Sequence, residues 1–577
     1  MSRKLTLLAL SLTVGLAASA QTGHHASWLE DASVYQIYPS SFQDSDGDGT
    51  GDLPGIISRL DYIKSIGVSA IWMNPIFVSG WTDGGYDVID FYKVDPRFGT
   101  NADLVELVNK AHSLGLKVVL DLVAGHSSDR CEWFIQSCEA DPNLRYSDYY
   151  IWPSFKPAAG VASPDGGTDY SRLMNPANDI VNKFVATDAP RGPYYVKNFF
   201  DTQPALNFGF ANPDPEHPWE QSVDAPGPQA MRREMKNIIS FWMDKGVDGF
   251  RVDMAASLVK NDFDKSETIR LWKDDMARWF KETYPEGVLI AEWFNPEQAI
   301  EAGFDIDFFA HDGKYNYSTL FFNTDRRGNP AVCWFEKEGR GALDTWYELY
   351  SHQYNAVNGK GYVSLPTGNH DFNRPASAGR ATLEQEKVYM TFFLTMPGVP
   401  FIYYGDEIGL KHIYGLPSVE GSMMRSGTRI PMLWDSTENA GFSTAPEGGI
   451  YIPQDPDPDR ITVQMSESDP NSLLNYTRTL LALRKEYPVL GNNAQWRLIN
   501  GLENPYPMVY ERTDGSDRCV IVINPTSGKV KTSIPASAST PEIIGGSYTK
   551  AGFKRDSRKN TDTFTLSPVS AVIYMYK

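Results

Sequence analysis

Three apolar runs in this chain lead into carboxylates: Val247-Asp-Gly-Phe-Arg-Val-Asp253, Gly287-Val-Leu-Ile-Ala-Glu292 and Gly361-Tyr-Val-Ser-Leu-Pro-Thr-Gly-Asn-His370-Asp371. Two carboxyls facing one bond are what glycoside hydrolysis requires, one attacking or stabilising a sugar cation and the other delivering a proton to the leaving oxygen. Asp253 and Glu292 are the candidates. Arg251 precedes Asp253 by two positions, on the same face of a strand, where its charge would keep Asp253 ionised as a nucleophile must be. Glu292 lies between Ala291 and Trp293, an apolar setting that favours a protonated acid. The plainer readings are a structural Arg251–Asp253 ion pair and, for each acid alone, a strand end meeting water.

Each run has the β-branched and aromatic content of a short buried strand. If the three strands belong to one parallel barrel, their C-terminal ends share one mouth, where that fold places its chemistry. Strands are predicted at 33–39, 68–74, 117–123, 247–253, 287–292, 304–309, 362–367 and 399–404, with helical stretches such as 101–113 and 231–245 between them. This rhythm predicts a (β/α)8 TIM barrel over 21–124 and 208–486, because right-handed crossovers returning to a parallel sheet can close it. Residues 125–207, rich in Pro, Gly, Asp and Tyr and without a clear helix, read as an insertion domain after the third strand that walls the cleft. Beyond 487 the pattern changes to short alternating runs such as Met508-Val-Tyr-Glu-Arg512 and Ala571-Val-Ile-Tyr-Met-Tyr576, predicting a C-terminal antiparallel β-sandwich.

Arg3 and Lys4 precede an apolar run that ends in Ala18-Ser-Ala20, the pattern of a cleaved signal peptide over 1–20. A secreted or periplasmic location follows as the expectation. No other stretch is long and apolar enough to suggest a membrane helix. The net charge of -19 disfavours nucleic acid as a partner, while uncharged sugars are indifferent to it. Four cysteines occur, without the CxxC spacing of a thiolate metal site. A Cys131–Cys138 disulfide is left open by the spacing, as is the oligomeric state. Asp44-Ser-Asp46-Gly-Asp48-Gly-Thr50-Gly-Asp52 sets oxygen ligands on alternate residues among glycines, the pattern of a hard-cation loop, although a solvated acidic turn has the same composition.

The chain resembles glycoside hydrolase family 13, the α-amylase family, over nearly its whole length after residue 20. Four signature stretches occur in order: Asp121-Leu-Val-Ala-Gly-His126, Gly249-Phe-Arg-Val-Asp253, Ile290-Ala-Glu292 and Asn369-His370-Asp371. The resemblance implies that Asp253 is the nucleophile, Glu292 the general acid/base and Asp371 a transition-state stabiliser. It also implies that Tyr86, Asp87, His126, Arg251, His370, Arg374 and Arg429 contact sugar. The acidic loop is similar to the calcium loop of the oligo-1,6-glucosidase branch, which implies a structural Ca2+ on Asp44, Asp46, Asp48, Asp52 and the Thr50 carbonyl, and no organic cofactor. Gly125 stands where many α-amylases carry a calcium-ligating Asn, implying that their second calcium site is absent. Gln203-Pro-Ala-Leu-Asn207 differs from a branch marker at Ala205, and Met254 follows the nucleophile, so linkage preference stays open. The expectation is a retaining α-glycosidase of α-glucosidase type acting on short α-glucan oligosaccharides through a glucosyl-Asp intermediate. An endo-acting α-amylase or cyclomaltodextrinase and a trehalose synthase-like transglycosylase are the alternatives. A non-enzymatic scaffold of the transporter heavy-chain kind is disfavoured, since those chains carry a membrane helix and lose catalytic carboxylates.

Overall fold

In the computed structural model the described residues are 26–577 apart from 156–182, 311–316, 323–328, 378–381 and 447. The expected signal peptide lies outside them. Eight strands alternate with helices: β1 (Val34–Ile37), β2 (Ala70–Met73), β3 (Lys117–Leu122), β4 (Gly249–Val252), β5 (Val288–Ala291), β6 (Ile306–Phe308), β7 (Tyr362–Ser364) and β8 (Phe401–Tyr403). All pair in parallel, in the order β7-β6-β5-β4-β3-β2-β1-β8. A parallel bridge from Pro366 to Phe401 and the amide of Thr367 donating to the Phe401 carbonyl join the last strands and close the barrel. β7 is shorter than the predicted 362–367 because Pro366 has no N–H for the ladder. Trp72, Phe308 and Phe401 fill the interior, with ring centroids 4.9–6.2 Å apart. The strands are apolar throughout because helices cover one face and this packing the other.

Helix α1 (Leu53–Ile66) shows how local sequence sets the crossovers. Asp52 caps it, accepting from the Gly55 amide at 2.6 Å, and Pro54 occupies its first turn. Leu53, Ile56, Leu60 and Ile63 form the buried stripe, and Gly67 ends the helix at φ 107°, the left-handed conformation glycine adopts without strain. A hairpin of Phe77–Ser79 and Val88–Val94, not anticipated from sequence, precedes the helix Asn101–Ser113. Within the insertion, Glu132–Ser137 is a short helix where none was expected. Cys131 and Cys138 flank it as free thiols. Seven residues along a helix span about 10 Å, beyond the Cα separation a disulfide tolerates.

After residue 495 all strands are antiparallel: β9 (Gln495–Leu498), β10 (Met508–Thr513), β11 (Arg518–Asn524), β12 (Val530–Pro535), β13 (Glu542–Ser547), β14 (Ala551–Asp556), β15 (Thr561–Leu566) and β16 (Ser570–Tyr576). They form sheets of order β9-β10-β11-β16-β13 and β12-β15-β14. Val509, Val520, Val522, Val572 and Tyr574 point between the sheets. Tyr510, Cys519, Ile521, Ile523 and Ile573 point instead into the barrel's core. Strands β10, β11 and β16 are therefore buried on both faces, which explains why their runs are more apolar than a solvated sheet needs.

Two buried arginines seal this junction. Arg484 donates to the carbonyls of Leu394, Met396 and Gly398 at 2.7–3.0 Å, and Arg512 to those of Thr395, Gly491 and Ala494 at 2.5–3.1 Å. They satisfy the last carbonyls of the helix Leu383–Thr395 and complement its dipole. Arg512→Met keeps the apolar stem and strands these acceptors, so we expect a loss on the order of 3 kcal/mol and a melting temperature lower by several degrees in calorimetry. Superimposable melting curves would show that the guanidinium is dispensable.

Candidate active site

The C-terminal ends of β3, β4 and β5 bring Asp121, Arg251, Asp253 and Glu292 together, all following from strand register: Asp121 pairs with Arg251, and Arg251 with Ile290. The Arg251 guanidinium is 3% exposed. Its Nη1 donates to Asp121 Oδ1 at 2.8 Å and to Asp253 Oδ1 at 3.1 Å, while Nη2 lies 2.9 Å from Glu292 Oε2. One cation thus serves three carboxyls, rather than Asp253 alone as the sequence pattern suggested.

Burial raises the pKa of both Asp253 and Glu292, with Arg251 opposing, and Glu292 is pushed up to about 8. Both carboxyls sit on the same guanidinium, and the charge of Asp253 helps to raise Glu292. Asp253 is pushed up to about 7, below Glu292, so Glu292 is the last of the two to give up its proton. The Met254 amide donates to Glu292 Oε2 at 2.8 Å, fixing the carboxyl. Met254 itself sits at φ 45°, a strained left-handed conformation immediately after Asp253.

Asp371 belongs to the loop after β7 rather than to the strand end. Asn369 Oδ1 accepts from the amides of Asp371 and Phe372, both at 2.8 Å, and so folds the turn that presents it. Arg425 Nη1 and Arg429 Nη2 donate to Asp371 Oδ1 at 2.7 and 3.2 Å. Burial alone would raise this carboxyl, but His370 and the two arginines hold it well below the usual range. His370 is kept neutral by burial and by the neighbouring arginines. Gln36 donates to its Nδ1 at 3.1 Å, so the ring proton is on Nε2, which faces the Tyr86 hydroxyl at 2.9 Å and Asp371 at 3.2 Å. Tyr86 in turn donates to Asp121 Oδ2 at 2.9 Å. The site therefore sets two carboxyls of raised pKa beside one of lowered pKa.

The remaining expected contacts divide. Arg429 reaches Asp371 and the His370 carbonyl. His126 lies under Tyr86, but both ring nitrogens are engaged, Nε2 by the Tyr86 carbonyl and Nδ1 by the Asn198 amide, each at 2.9 Å. Asp87 is fully buried and accepts from Ser79, Thr82 and the Asp83 amide, so it shapes the loop instead of facing the cleft. Arg374 is likewise fully buried, donating to the Tyr404 carbonyl, Asp406 and the Thr428 carbonyl behind the site. Sequence reasoning passed over Asp83 and Arg425. Asp83 Oδ1 accepts from Arg425 at 2.9 Å and Oδ2 from Gln203 of the insertion at 3.0 Å. Only the proximity of Asp83 to Tyr86 could have flagged it. Nothing in the chain marks Arg425, because its partners are distant in sequence.

In the acidic loop, Asp44, Asp46 and Asp48 offer oxygens within 4.8 Å of one another. An all-oxygen set of three carboxylates fits a hard cation such as Ca2+. Asp52 does not join it: its carboxylate is turned to the Ser45 and Gly55 amides, because the following helix needs a cap.

Residues 36–493 match the family model of the alpha-amylase catalytic domain. The chain is 30% identical to an oligo-1,6-glucosidase of Parageobacillus thermoglucosidasius over 548 residues, covering 86% of this chain and 90% of the relative. It is 32% identical to Maltase A2 of Drosophila melanogaster, covering 79% of each, and 30% identical to a trehalose synthase/amylase of Mycobacterium tuberculosis, covering 85% and 80%. A glucose-bound isomaltulose synthase variant of Erwinia rhapontici NX5 shares the fold, with a TM-score of 0.76 at 24% identity over 96% of this chain and 99% of that one. The extent of the family match and the carboxylate centre built on its barrel place this chain in the alpha-amylase family of glycoside hydrolases.

Proposed function

We propose that the protein is a retaining α-glucosidase acting on short α-glucan oligosaccharides. The observation that carries this reading is the pair Asp253 and Glu292, both on Arg251, with the ionised Asp371 beside them. Asp253 attacks the anomeric carbon while Glu292 protonates the leaving oxygen. Glu292 then takes a proton from the water that releases the glucosyl ester. The oligo-1,6-glucosidase and maltase relatives support small substrates, and the Asp83–Arg425 pair and the insertion's Gln203 support a site closed on that side. Export through the Arg3–Ala20 leader and a structural Ca2+ on Asp44, Asp46 and Asp48 are parts of the same proposal.

Release of glucose from maltose or isomaltose, with the anomeric configuration retained, is the direct test. Hydrolysis of neither would remove the reading. Asp253→Asn should fold and bind sugar yet lose hydrolysis by several orders of magnitude.

The pH dependence follows from the two raised carboxyls. The active pair carries one proton, so kcat/KM should fall in acid as the pair gains a second and fall above about 8 as Glu292 loses its own. Glu292→Gln cannot lose a proton there and should show no alkaline limb; an unchanged limb in that variant would assign it to another group.

Calcium should stabilise the native fold by mass action, by about 2.7 kcal/mol at a hundredfold excess over Kd. Melting temperature measured with calcium and with chelator should therefore differ in the wild type and coincide in Asp46→Ala. Equal shifts in both proteins would place the ion elsewhere.

A further inference from the structure

Asp307 lies on β6, is fully buried, and pairs in register with Ala291, the residue before Glu292. It takes no part in the chemistry above. Its Oδ1 accepts from the amide of Trp293 at 3.0 Å and faces that of Phe294 at 3.4 Å, the two residues that follow Glu292. Phe294 stands at φ 60°, a left-handed conformation that a bulky residue adopts only when its surroundings impose it. Asn295 next in the chain caps the helix Pro296–Glu301, accepting from the Gln298 amide, and Trp293 Nε1 donates to Gln298 Oε1 at 3.0 Å. The turn after Glu292 is thus gripped from both sides, by the cap outside and by Asp307 within.

Upstream, Glu292 is tied by its amide to the Val252 carbonyl, and its carboxyl rests on the Met254 amide and Arg251. These contacts set the strand and the oxygen but not the turn that fixes which way the backbone leaves the strand. A carboxyl in the β5–β6 register, aimed at two successive amides of a left-handed turn, supplies that constraint. Burial also pushes the Asp307 carboxyl up to about 8, so in its neutral form it can hold the turn without adding another negative charge behind Glu292.

We propose that Asp307 is a positioning residue for the general acid, holding the Trp293–Phe294 turn so that Glu292 is aimed at the leaving oxygen. The proposal rests on the glycosidase reading, and turnover of aryl α-glucosides by the wild type checks that reading separately. The test compares kcat/KM for 4-nitrophenyl and phenyl α-glucosides in wild type, Asp307→Ala and Asp307→Asn, each shown folded by circular dichroism and melting. A misaimed acid harms the phenyl substrate, whose leaving group needs the proton, far more than the activated one. Asp307→Ala should lose on the order of 10²-fold on phenyl α-glucoside and less than about tenfold on the nitrophenyl compound. Asp307→Asn, which keeps an acceptor for the turn amides, should restore most of the phenyl activity. Equal losses on both substrates, no loss, or failure of Asn to rescue would overturn the proposal. Should Asp307→Ala not fold, Asp307→Ser gives the same comparison, and loss of fold in both would show that Asp307 serves the barrel rather than the acid.

Discussion

One buried guanidinium facing two buried carboxyls and a third at the edge of the cleft is the constraint on which this site depends. Removing Arg251 from water is costly, and so is burying Asp121 and Asp253 and partly burying Glu292; each charge is tolerable only because the others are within 3.1 Å of the same cation. A single positive charge cannot neutralise three negative ones. A proton reduces the deficit without removing it, and the carboxyl with the higher pKa, Glu292, is the last to give it up. Asp121, donated to by Arg251 and Tyr86, fixes the cation in place. In the proposed mechanism, the electrostatic shortage that a purely structural ion pair would avoid is what prepares Glu292 as the acid and leaves Asp253 to act as the nucleophile.

The region around Asp371 solves the opposite problem. Asp371 stays ionised in a less enclosed place, where Arg425 and Arg429 provide more positive charge than it needs. The surplus extends to Asp83, which ties the loop bearing Arg425 to the hairpin bearing Tyr86 and, through Gln203, to the insertion. Three loops from different strands are therefore held by one network of charge-assisted hydrogen bonds. His370, neutral and held by Gln36, spaces the two halves: its ring stacks on Tyr86 with centroids 5.5 Å apart and on Tyr38 at 6.5 Å.

Backbone strain collects where the strands end. Met254 and Phe294, which follow Asp253 and Glu292 closely, are both left-handed without being glycine. Each such residue costs on the order of 1–3 kcal/mol, offset here by an amide donated to Glu292 in one case and one facing Asp307 in the other. The rigid barrel below, packed by Trp72, Phe308 and Phe401, and the β-sandwich fastened to it by Arg484 and Arg512 let these turns persist.

Much of this was legible in the chain itself. Strands buried on both faces are continuous apolar runs, so the eight barrel strands and the points where Asp253 and Glu292 leave them can be read without coordinates, and four ordered stretches are enough to show the resemblance. The cap at Asp52 was legible as an acid but not as a cap, because the choice between a cation and the Gly55 amide depends on where α1 begins. The order of burial was not legible at all. The resemblance implies that Asp87 and Arg374 contact sugar, yet the tertiary structure turns both inward, and it brings Asp83 to Arg425 across 342 positions of sequence. Local sequence determines which residues can leave a strand end; only the closed barrel decides which of them face the cleft, because that is settled by partners the chain meets from the far side of the fold.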